Sequence, residues 1–225
     1  MHKVVFLDKD PDWIQFSNAG NLRNRLGLDS VEIEKLETCN LSNLGSDGQL
    51  YLIAHGSPTS AGPFERASDL ATVLEQHGLA KTHKFIKLET CSSAADPDTR
   101  HEKSNIPHFF SFAHQLALAL RADGYASIQV EGGTAPTVVM PGRDVVVDKS
   151  KLDQAAEAQA RLALQAYPKE ISHANHLINS LPSNANKGSL ALIAAQVQVT
   201  VAPFFTSFGK ATQPLLKTTG AWKTH

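Results

Sequence analysis

Cysteine is scarce in this 225-residue sequence, and neither sign of charge is in excess. The two cysteines, Cys39 and Cys91, are too few for a disulfide-stapled secreted scaffold, and no C-x-x-C pair indicates a dithiol redox centre. Twenty-one basic residues against 22 acidic ones give a formal net charge of −1, which provides no field to hold a phosphate backbone. We therefore expect no nucleic-acid partner.

Long apolar runs are missing as well. The N-terminal stretch reaches Asp8 after the four apolar residues VVFL, so it lacks the apolar core of a secretory signal. No later run approaches the roughly 18 residues of a membrane span, and the spacing of the histidines does not indicate a zinc site. We expect a cytoplasmic protein that needs no membrane, metal or cofactor; delivery to another cell by a specialised secretion system is compatible with this pattern.

The residues that are present favour a globular α/β protein, since 42% are hydrophobic and 19% are charged. Short apolar runs alternate with amphipathic stretches, which is typical of β-α units in a mainly parallel sheet. The runs at residues 4–8, 51–54, 85–88 and 126–130 predict strands. Apolar spacing predicts one helix that ends at Gly78 and another that runs from Pro107 through Phe109 to Gly124, and these helices should cover both faces of the sheet.

The pattern changes after residue 130. Two β-branched runs flank Pro141 and Gly142, which predicts a β-hairpin. Helices are predicted at residues 151–167 and 171–181. In the last apolar run residues 190–195 would suit a helix, whereas the alternating valines at 197, 199 and 201 predict a strand. The tail after Gly209 is expected to be a mobile or packing arm. Residues 1–148 should form the α/β core and residues 149–225 a helical extension packed on it, within one domain overall.

His55 and Cys91 are the strongest candidates for chemistry because each follows an apolar strand directly, in YLIAHGS and FIKLETCSS. The carboxyl ends of parallel strands meet at one edge of a sheet, where α/β proteins place their active sites. A histidine there can take the proton of a thiol, and the thiolate is the nucleophile. Gly56 lets the backbone approach a substrate, so the amides of Gly56 and Cys91 are candidate donors to an oxyanion.

These motifs resemble the caspase-like clan of cysteine peptidases, which includes caspases, metacaspases, legumains, gingipains, separases and self-processing protease domains of bacterial toxins. In that clan a histidine followed by glycine ends one strand and a cysteine ends the next. Here His55 and Cys91 are 36 residues apart (91 − 55). The likeness covers about residues 3–130. It implies a caspase-like three-layer sandwich and a cysteine endopeptidase with a His-Cys dyad, acting on a polypeptide; the oligomeric state remains open.

The resemblance also suggests where specificity resides. Asp8 ends the first strand, beside the pocket for the residue before the cut bond, and Glu89 stands where metacaspases carry an acid that selects basic substrates. Either carboxylate would favour Lys or Arg, whereas an apolar pocket that selects leucine, as in some toxin domains of the clan, is the alternative. Turn formation for Asp8 and solvation for Glu89 are competing explanations.

The resemblance also implies roles for two further segments, one in substrate binding and one in activation. Gly132 and Gly133 would line the groove after the strand that follows the nucleophile and allow an extended peptide to approach by strand addition. The polar loop after Cys91 corresponds to a region where activation cleavage occurs in the clan, and Arg100 and Lys103 would be its basic sites. A surface loop without such a role is the alternative.

Two other functions compete with the peptidase. The run VVFLDKD is similar to the strand end of haloacid-dehalogenase-like phosphatases, in which Asp8 would attack phosphate and Asp10 would act as the acid. That chemistry needs a further lysine and a downstream acidic pair for magnesium, and Asp148 has no neighbouring acid. The non-enzymatic alternative is an α/β binding module in which His55 and Cys91 are idle.

Overall fold

A computed structural model of the chain describes residues 1–95, 110–135, 137–140, 143–147, 158, 162, 164–212 and 221–225. In chain order its strands are β1 (His2–Phe6), β2 (Val31–Lys35), β3 (Leu50–Ile53), β4 (Gly56–Ser57), β5 (Ser60–Ala61), β6 (Phe85–Glu89), β7 (Gln129–Gly133), β8 (Thr137–Met140), β9 (Arg143–Val146) and β10 (Trp222–Thr224). The helices named below are α1 (Trp13–Leu26), α2 (Ala67–Gln76), α3 (Phe112–Ala122), α4 (Pro168–Asn179), α5 (Lys187–Thr200) and α6 (Ala202–Thr212).

The centre of the fold is a six-stranded sheet in the order β10-β7-β6-β3-β1-β2. All neighbouring pairs are parallel except β10 with β7, which is antiparallel. The prediction of an α/β fold with a mainly parallel sheet is therefore confirmed. The sequence reading missed both edge strands, β2 and β10, and β10 shows that part of the tail predicted as an arm belongs to the sheet.

Helices cover both faces of this sheet because side chains alternate along each strand. In β1, Val5 faces the core formed with α2 and α3, whereas Val4 and Phe6 face the core formed with α1, α4, α5 and α6. Phe112 contributes to the first core and Phe16 to the second. The three layers predicted from the alternating pattern are present.

The Val-rich segment near the C-terminus is helical, so the strand predicted there is wrong. Leu190, Ile193, Ala194 and Val197 are buried on one face of α5, spaced by three or four residues, while Val199 is 69% exposed. The helical period of the whole segment therefore outweighs the two-residue alternation of its valines. Among the described residues no single helix is long and apolar enough to cross a membrane; α5 and α6 up to residue 210, bent by 52°, meet those criteria only as a pair.

Two predicted helix starts also differ from the structure. The described part of α3 starts at Phe112, where the Ser111 side chain accepts a hydrogen bond from the amide of His114, and the predicted start at Pro107 and Phe109 lies outside the described residues. The helix predicted at 171–181 begins at residue 168, with proline in its first turn. Most of the helix predicted at 151–167 falls outside the described residues.

The predicted hairpin is confirmed, with β8 and β9 pairing antiparallel on either side of the undescribed residues 141 and 142. Two asparagines of α1 hold it on the α1 face of the sheet. The Asn21 amide donates to the carbonyl of Val139 at 2.8 Å, and the Val139 amide donates to Asn18 Oδ1 at 3.3 Å. Residues 149–225 supply α4, α5, α6 and β10, and the first three of these pack in the same layer as α1.

The contact between α1 and α5 requires Gly20. A Cβ at this position would lie 2.6 Å from the carbonyl oxygen of Ala194 and 2.8 Å from Gln198 Cβ. We expect Gly20→Val to lower the free energy of unfolding by about 1–3 kcal/mol, because a backbone atom of α5 must move. Denaturant unfolding measures this change, with Gly45→Val as the control, since a Cβ at Gly45 meets no atom within 4 Å. Equal stability of Gly20→Val and wild type would contradict this packing.

Candidate functional site

His55 and Cys91 stand at the carboxyl ends of neighbouring strands. β3 and β6 are parallel, and their register pairs Ile53 with Glu89. His55 and Cys91 each follow two positions after these partners, so they leave the sheet at the same level, on strands that are about 4.8 Å apart. The topology therefore brings the two residues to one edge of the sheet, and their catalytic roles stay predictions.

Gly56 is the point of closest approach between the two strand ends. A Cβ at Gly56 would lie 3.0 Å from Thr90 Cβ and 2.8 Å from the carbonyl oxygen of Ser60. Any larger residue would push the segment after β3 away from the residue that precedes Cys91. This contact gives a packing reason for the glycine in the H-G motif.

Backbone amides at this edge are available for an oxyanion. No backbone hydrogen bond of the described residues uses the Cys91 amide. The Gly62 amide donates to the His55 carbonyl at 2.7 Å, which makes Gly56 and Ala61 a non-hydrogen-bonded pair of the β4-β5 hairpin. The Gly56 N–H therefore points away from β5 and is not used by the hairpin.

The turn that carries Cys91 has an unusual backbone conformation. Ser92 has φ of 58°, the left-handed region, which costs a residue other than glycine about 1–3 kcal/mol. Two hydrogen bonds to the segment after β7 hold the turn: the Ser92 amide donates to Ala135 at 3.0 Å, and the Ala94 amide donates to Gly133 at 2.9 Å. Cys91 is half-buried, and its Sγ lies 3.9 Å from the carbonyl oxygen of Thr137 on β8.

The His55 ring is directed toward a residue that the sequence reading missed. Its Nε2 lies 3.1 Å from Asp12 Oδ2, and the side chain is 65% exposed. Within the described part of the chain, no hydrogen bond joins the His55 ring to Cys91. Asp12 therefore orients the imidazole, and the approach of the ring to the thiol is left to side-chain rotation or to substrate.

Asp12 belongs to a closed ring of hydrogen bonds with Asp8, Gln15 and His55. Asp12 caps α1 by accepting the Gln15 amide at 3.0 Å, and the Gln15 side chain accepts the Asp12 amide at 2.9 Å. The Gln15 carboxamide also donates to Asp8, whose Oδ2 accepts the His55 amide at 3.0 Å. The D-x-x-Q spacing is typical of a capping box, but nothing in the sequence indicates that Asp12 also contacts His55.

Asp8 thus supports the backbone of His55 in this structure. Its predicted role in the specificity pocket stays a prediction, because Oδ2 is engaged by the His55 amide and by Gln15. Asp10, the second acid of the phosphatase alternative, is exposed.

Glu89 is buried under the β8-β9 hairpin beside Lys87. The Lys87 ammonium is 3.4 Å from Glu89 Oε1, and it also pairs with Glu131 at 3.2 Å and with Asp144. Burial, with the charge of Asp144 added, raises the pKa of Glu89 to about 8 despite the nearby cation. Burial alone would lower the pKa of Lys87, but the surrounding carboxylates outweigh it and raise that pKa.

This buried charge cluster joins three parts of the fold. Arg25 of α1 binds Asp144 of β9 through both guanidinium nitrogens, at 2.7 and 3.2 Å. Lys87 of β6 also lies 3.9 Å from the centre of the Trp222 ring on β10. A basic substrate side chain would have to compete with Lys87 for Glu89, so the predicted pocket role of Glu89 stays a prediction.

Gly132 and Gly133 lie near the nucleophile turn. A Cβ at Gly132 would be 2.5 Å from Ser93 Oγ, and a Cβ at Gly133 would be 2.1 Å from Thr137 Cγ2, so both are required by close packing. β10 pairs with β7 at both glycines. An added substrate strand cannot use this edge while β10 is in place, and the substrate role of the glycines stays a prediction.

The remaining candidate residues and the comparisons with known proteins do not identify a function. Arg100 and Lys103 lie outside the described residues. In the described ranges, no group of three or more His, Cys, Asp or Glu side chains could hold a metal ion. No protein-family model matches the chain, and a comparison with curated proteins gives no match.

The two thiols should react at very different rates. Burial raises the pKa of the Cys39 thiol to about 11, so about one molecule in a thousand is ionised there at pH 8. Cys91 is half-buried and stands at the sheet edge. We expect iodoacetamide at pH 8 to label Cys91 in the folded protein and Cys39 only after unfolding, as measured by peptide mass mapping. Equal labelling of both thiols in the folded protein would contradict this arrangement.

Glu89 should make the protein less stable as pH rises. Its pKa is raised on folding from the ordinary value of 4.5 to about 8, so the native state holds the proton more tightly than the unfolded chain. The stabilisation is complete below about pH 4.5 and is lost as pH rises through 8. We expect Glu89→Gln to gain stability relative to wild type between pH 5 and pH 8 in denaturant unfolding. The exposed control Glu37→Gln should show no such trend, and a pH-independent difference for Glu89→Gln would contradict the assignment.

Proposed function

We propose that the protein is a cysteine endopeptidase with a caspase-like arrangement, in which Cys91 is the nucleophile and His55 is the general acid and base. The observation that carries the proposal is the parallel register of β3 and β6, which places an H-G segment and a cysteine turn at one sheet edge, with Gly56 packed on Thr90. The order of the motifs, each after its own apolar strand, supports the resemblance to the clan.

Acylation would begin with transfer of the Cys91 proton to His55. The sulfur attacks the carbonyl carbon of the substrate, a C–S bond forms, and the carbonyl electron pair moves to oxygen. The backbone amides of Gly56 and Cys91 hold this oxyanion. His55 then gives its proton to the amide nitrogen, the C–N bond breaks, and the amine product leaves a thioester on Cys91.

Deacylation would use water and the same groups. The neutral His55 ring accepts a proton from water as the water oxygen attacks the thioester carbon. The same amides hold the second oxyanion, the C–S bond breaks, and the thiol of Cys91 is regenerated by the proton on His55. The net reaction is the hydrolysis of one peptide bond.

Asp12 is the positioning residue in this scheme. An ionised carboxylate only accepts hydrogen bonds, so the neutral His55 ring donates through Nε2–H and keeps its lone pair at Nδ1. Nδ1 is therefore the atom that exchanges protons with thiol, leaving group and water. The α1 cap fixes Asp12, and it thereby fixes the tautomer of His55.

Specificity for Lys or Arg before the cut remains part of the proposal, with Asp8 or Glu89 as the pocket acid. A carboxylate held away from water is costly until a cation enters, and this differential is what selects a basic residue. An apolar pocket for leucine is the alternative. Cleavage within the chain at Arg100 or Lys103 would make the enzyme self-processing.

The decisive measurement is cleavage of a panel of peptides with every residue type before the cut, read by mass spectrometry. We expect Cys91→Ala to show only background cleavage and His55→Ala to lose at least about a hundredfold in kcat/KM. Matched peptides with Arg or Leu before the cut test the basic preference. Asp12→Asn should lower kcat with little change in KM, because asparagine still caps α1 but leaves the tautomer of His55 undefined.

The matched control is Cys39→Ala, which removes the other thiol and should leave cleavage unchanged. Thermal unfolding of each variant separates loss of activity from loss of fold. Cleavage by Cys91→Ala at the wild-type rate would reject the dyad. Two results together would favour the binding-module alternative. Wild type would cleave no peptide, and Cys91 would be alkylated at the same rate in wild type and in His55→Ala.

A further inference from the structure

A cleft of about 460 Å³ opens at the same sheet edge, and Asp12, which contacts His55, is one of its lining residues. Its walls come from the loop after β1, the first turn of α1, the end of β2, and the end of α4 with the segment that follows it. Asp12 is thus shared between the cleft and the hydrogen bond to His55. No step of the proposed chemistry uses the rest of this cleft.

The order of the strands places the cleft in line with the dyad. Cys91 follows β6, His55 follows the neighbouring β3, and the cleft lies above β1 and β2, the next strands in the sheet. With strands about 4.8 Å apart, the cleft is roughly 10–14 Å from the nucleophile. An extended peptide advances about 3.3 Å per residue, so this distance corresponds to roughly three or four residues.

The chemistry of His55 decides which part of a substrate passes this way. A general acid must face the nitrogen that leaves, and that nitrogen belongs to the residue after the cut bond. The chain beyond the cut therefore runs past His55 and toward Asp12.

The lining of the cleft fits a long basic side chain. Its apolar surface comes from the half-buried Ile178 and Leu181, which can pack against an aliphatic stem, with the fully buried Phe16 behind them. The Asp10 carboxylate is exposed at the cleft and forms no ion pair with any described residue. Among the described lining residues Lys35 is the only lysine, and its Nζ donates to the carbonyl oxygen of Lys9 at 3.0 Å. Two carboxylates, Asp10 and Asp12, against this one cation leave the described lining with a formal charge of −1.

We infer that this cleft is a substrate subsite for the leaving side of the cut, which binds a Lys or Arg side chain three or four residues after the scissile bond. The inference rests on the proposed peptidase function, since it uses the direction that His55 imposes on the substrate. Asp10 receives the cation, and the apolar residues receive the stem. The subsite adds selectivity that is independent of the residue before the cut.

The test uses two kinds of substrate with the same residues before the cut, chosen from the panel described above. One is a fluorogenic amide that ends at the leaving group, and the other continues with five residues, all alanine or with a single arginine at the third or fourth position. Wild type should cleave one of the arginine peptides about fivefold better in kcat/KM than the all-alanine peptide, the ratio expected for one partly exposed ion pair with its stem contact. Asp10→Asn should abolish this preference and leave cleavage of the fluorogenic amide unchanged.

The matched control is Asp29→Asn, which removes an exposed carboxylate at the opposite edge of the sheet and should keep the arginine preference. Binding of the arginine peptide to Cys91→Ala, with and without Asp10→Asn, gives a readout that needs no turnover. Equal cleavage of the arginine and alanine peptides by wild type, or a preference that survives in Asp10→Asn, would overturn the subsite and leave the peptidase intact. Failure of wild type to cleave either kind of substrate would overturn both proposals.

Discussion

Parallel pairing in register between β3 and β6 sets the geometry of the whole carboxyl edge. Ile53 lies opposite Glu89, so the chain leaves both strands at the same height and His55 emerges beside Cys91. Because β1 pairs with β3 in the same direction, the loop that carries Asp12 emerges at this edge as well. A shift of one residue would turn every side chain of a strand to the opposite face, and the apolar cores on both faces therefore protect the register.

Both faces of the sheet combine an apolar core with paired charges. On the α2-α3 face, Lys3 of β1 is fully buried and pairs with Glu32 and Glu34 of β2, whereas the α1 face places Lys87, Glu89, Glu131 and Asp144 beneath the hairpin, with Arg25 reaching in from α1. Buried charges gain little over well-packed apolar groups, but the loss of one partner is costly. The cluster beneath the hairpin therefore makes the position of the hairpin, and with it the carbonyl that faces Cys91, depend on one set of paired charges, in which the buried Glu89 oxygens have no hydrogen-bond partner among the described residues.

In this protein one carboxylate, that of Asp12, both caps a helix and orients the candidate base. Asp12 accepts the Gln15 amide through one oxygen and faces His55 through the other. The hydrogen bonds that hold Asp12 at the start of α1 thus also restrict the imidazole, and no separate residue is needed for that purpose. Asp12 also forms part of the wall of the cleft, so one carboxylate connects a helix end, the imidazole and the proposed subsite.

The sequence by itself determined the parts that depend on local pattern: the alternating strands and helices, the hairpin, and the placement of His55 and Cys91 after successive apolar strands. The tertiary structure alone decided that Asp12 meets His55, that Lys87 faces Asp144 beneath the hairpin, and which strands form the edges of the sheet. These pairings join residues far apart in the chain, so no spacing records them. The Val-rich segment became a helix for the same reason: burial against α1, and not its local alternation, chose the period.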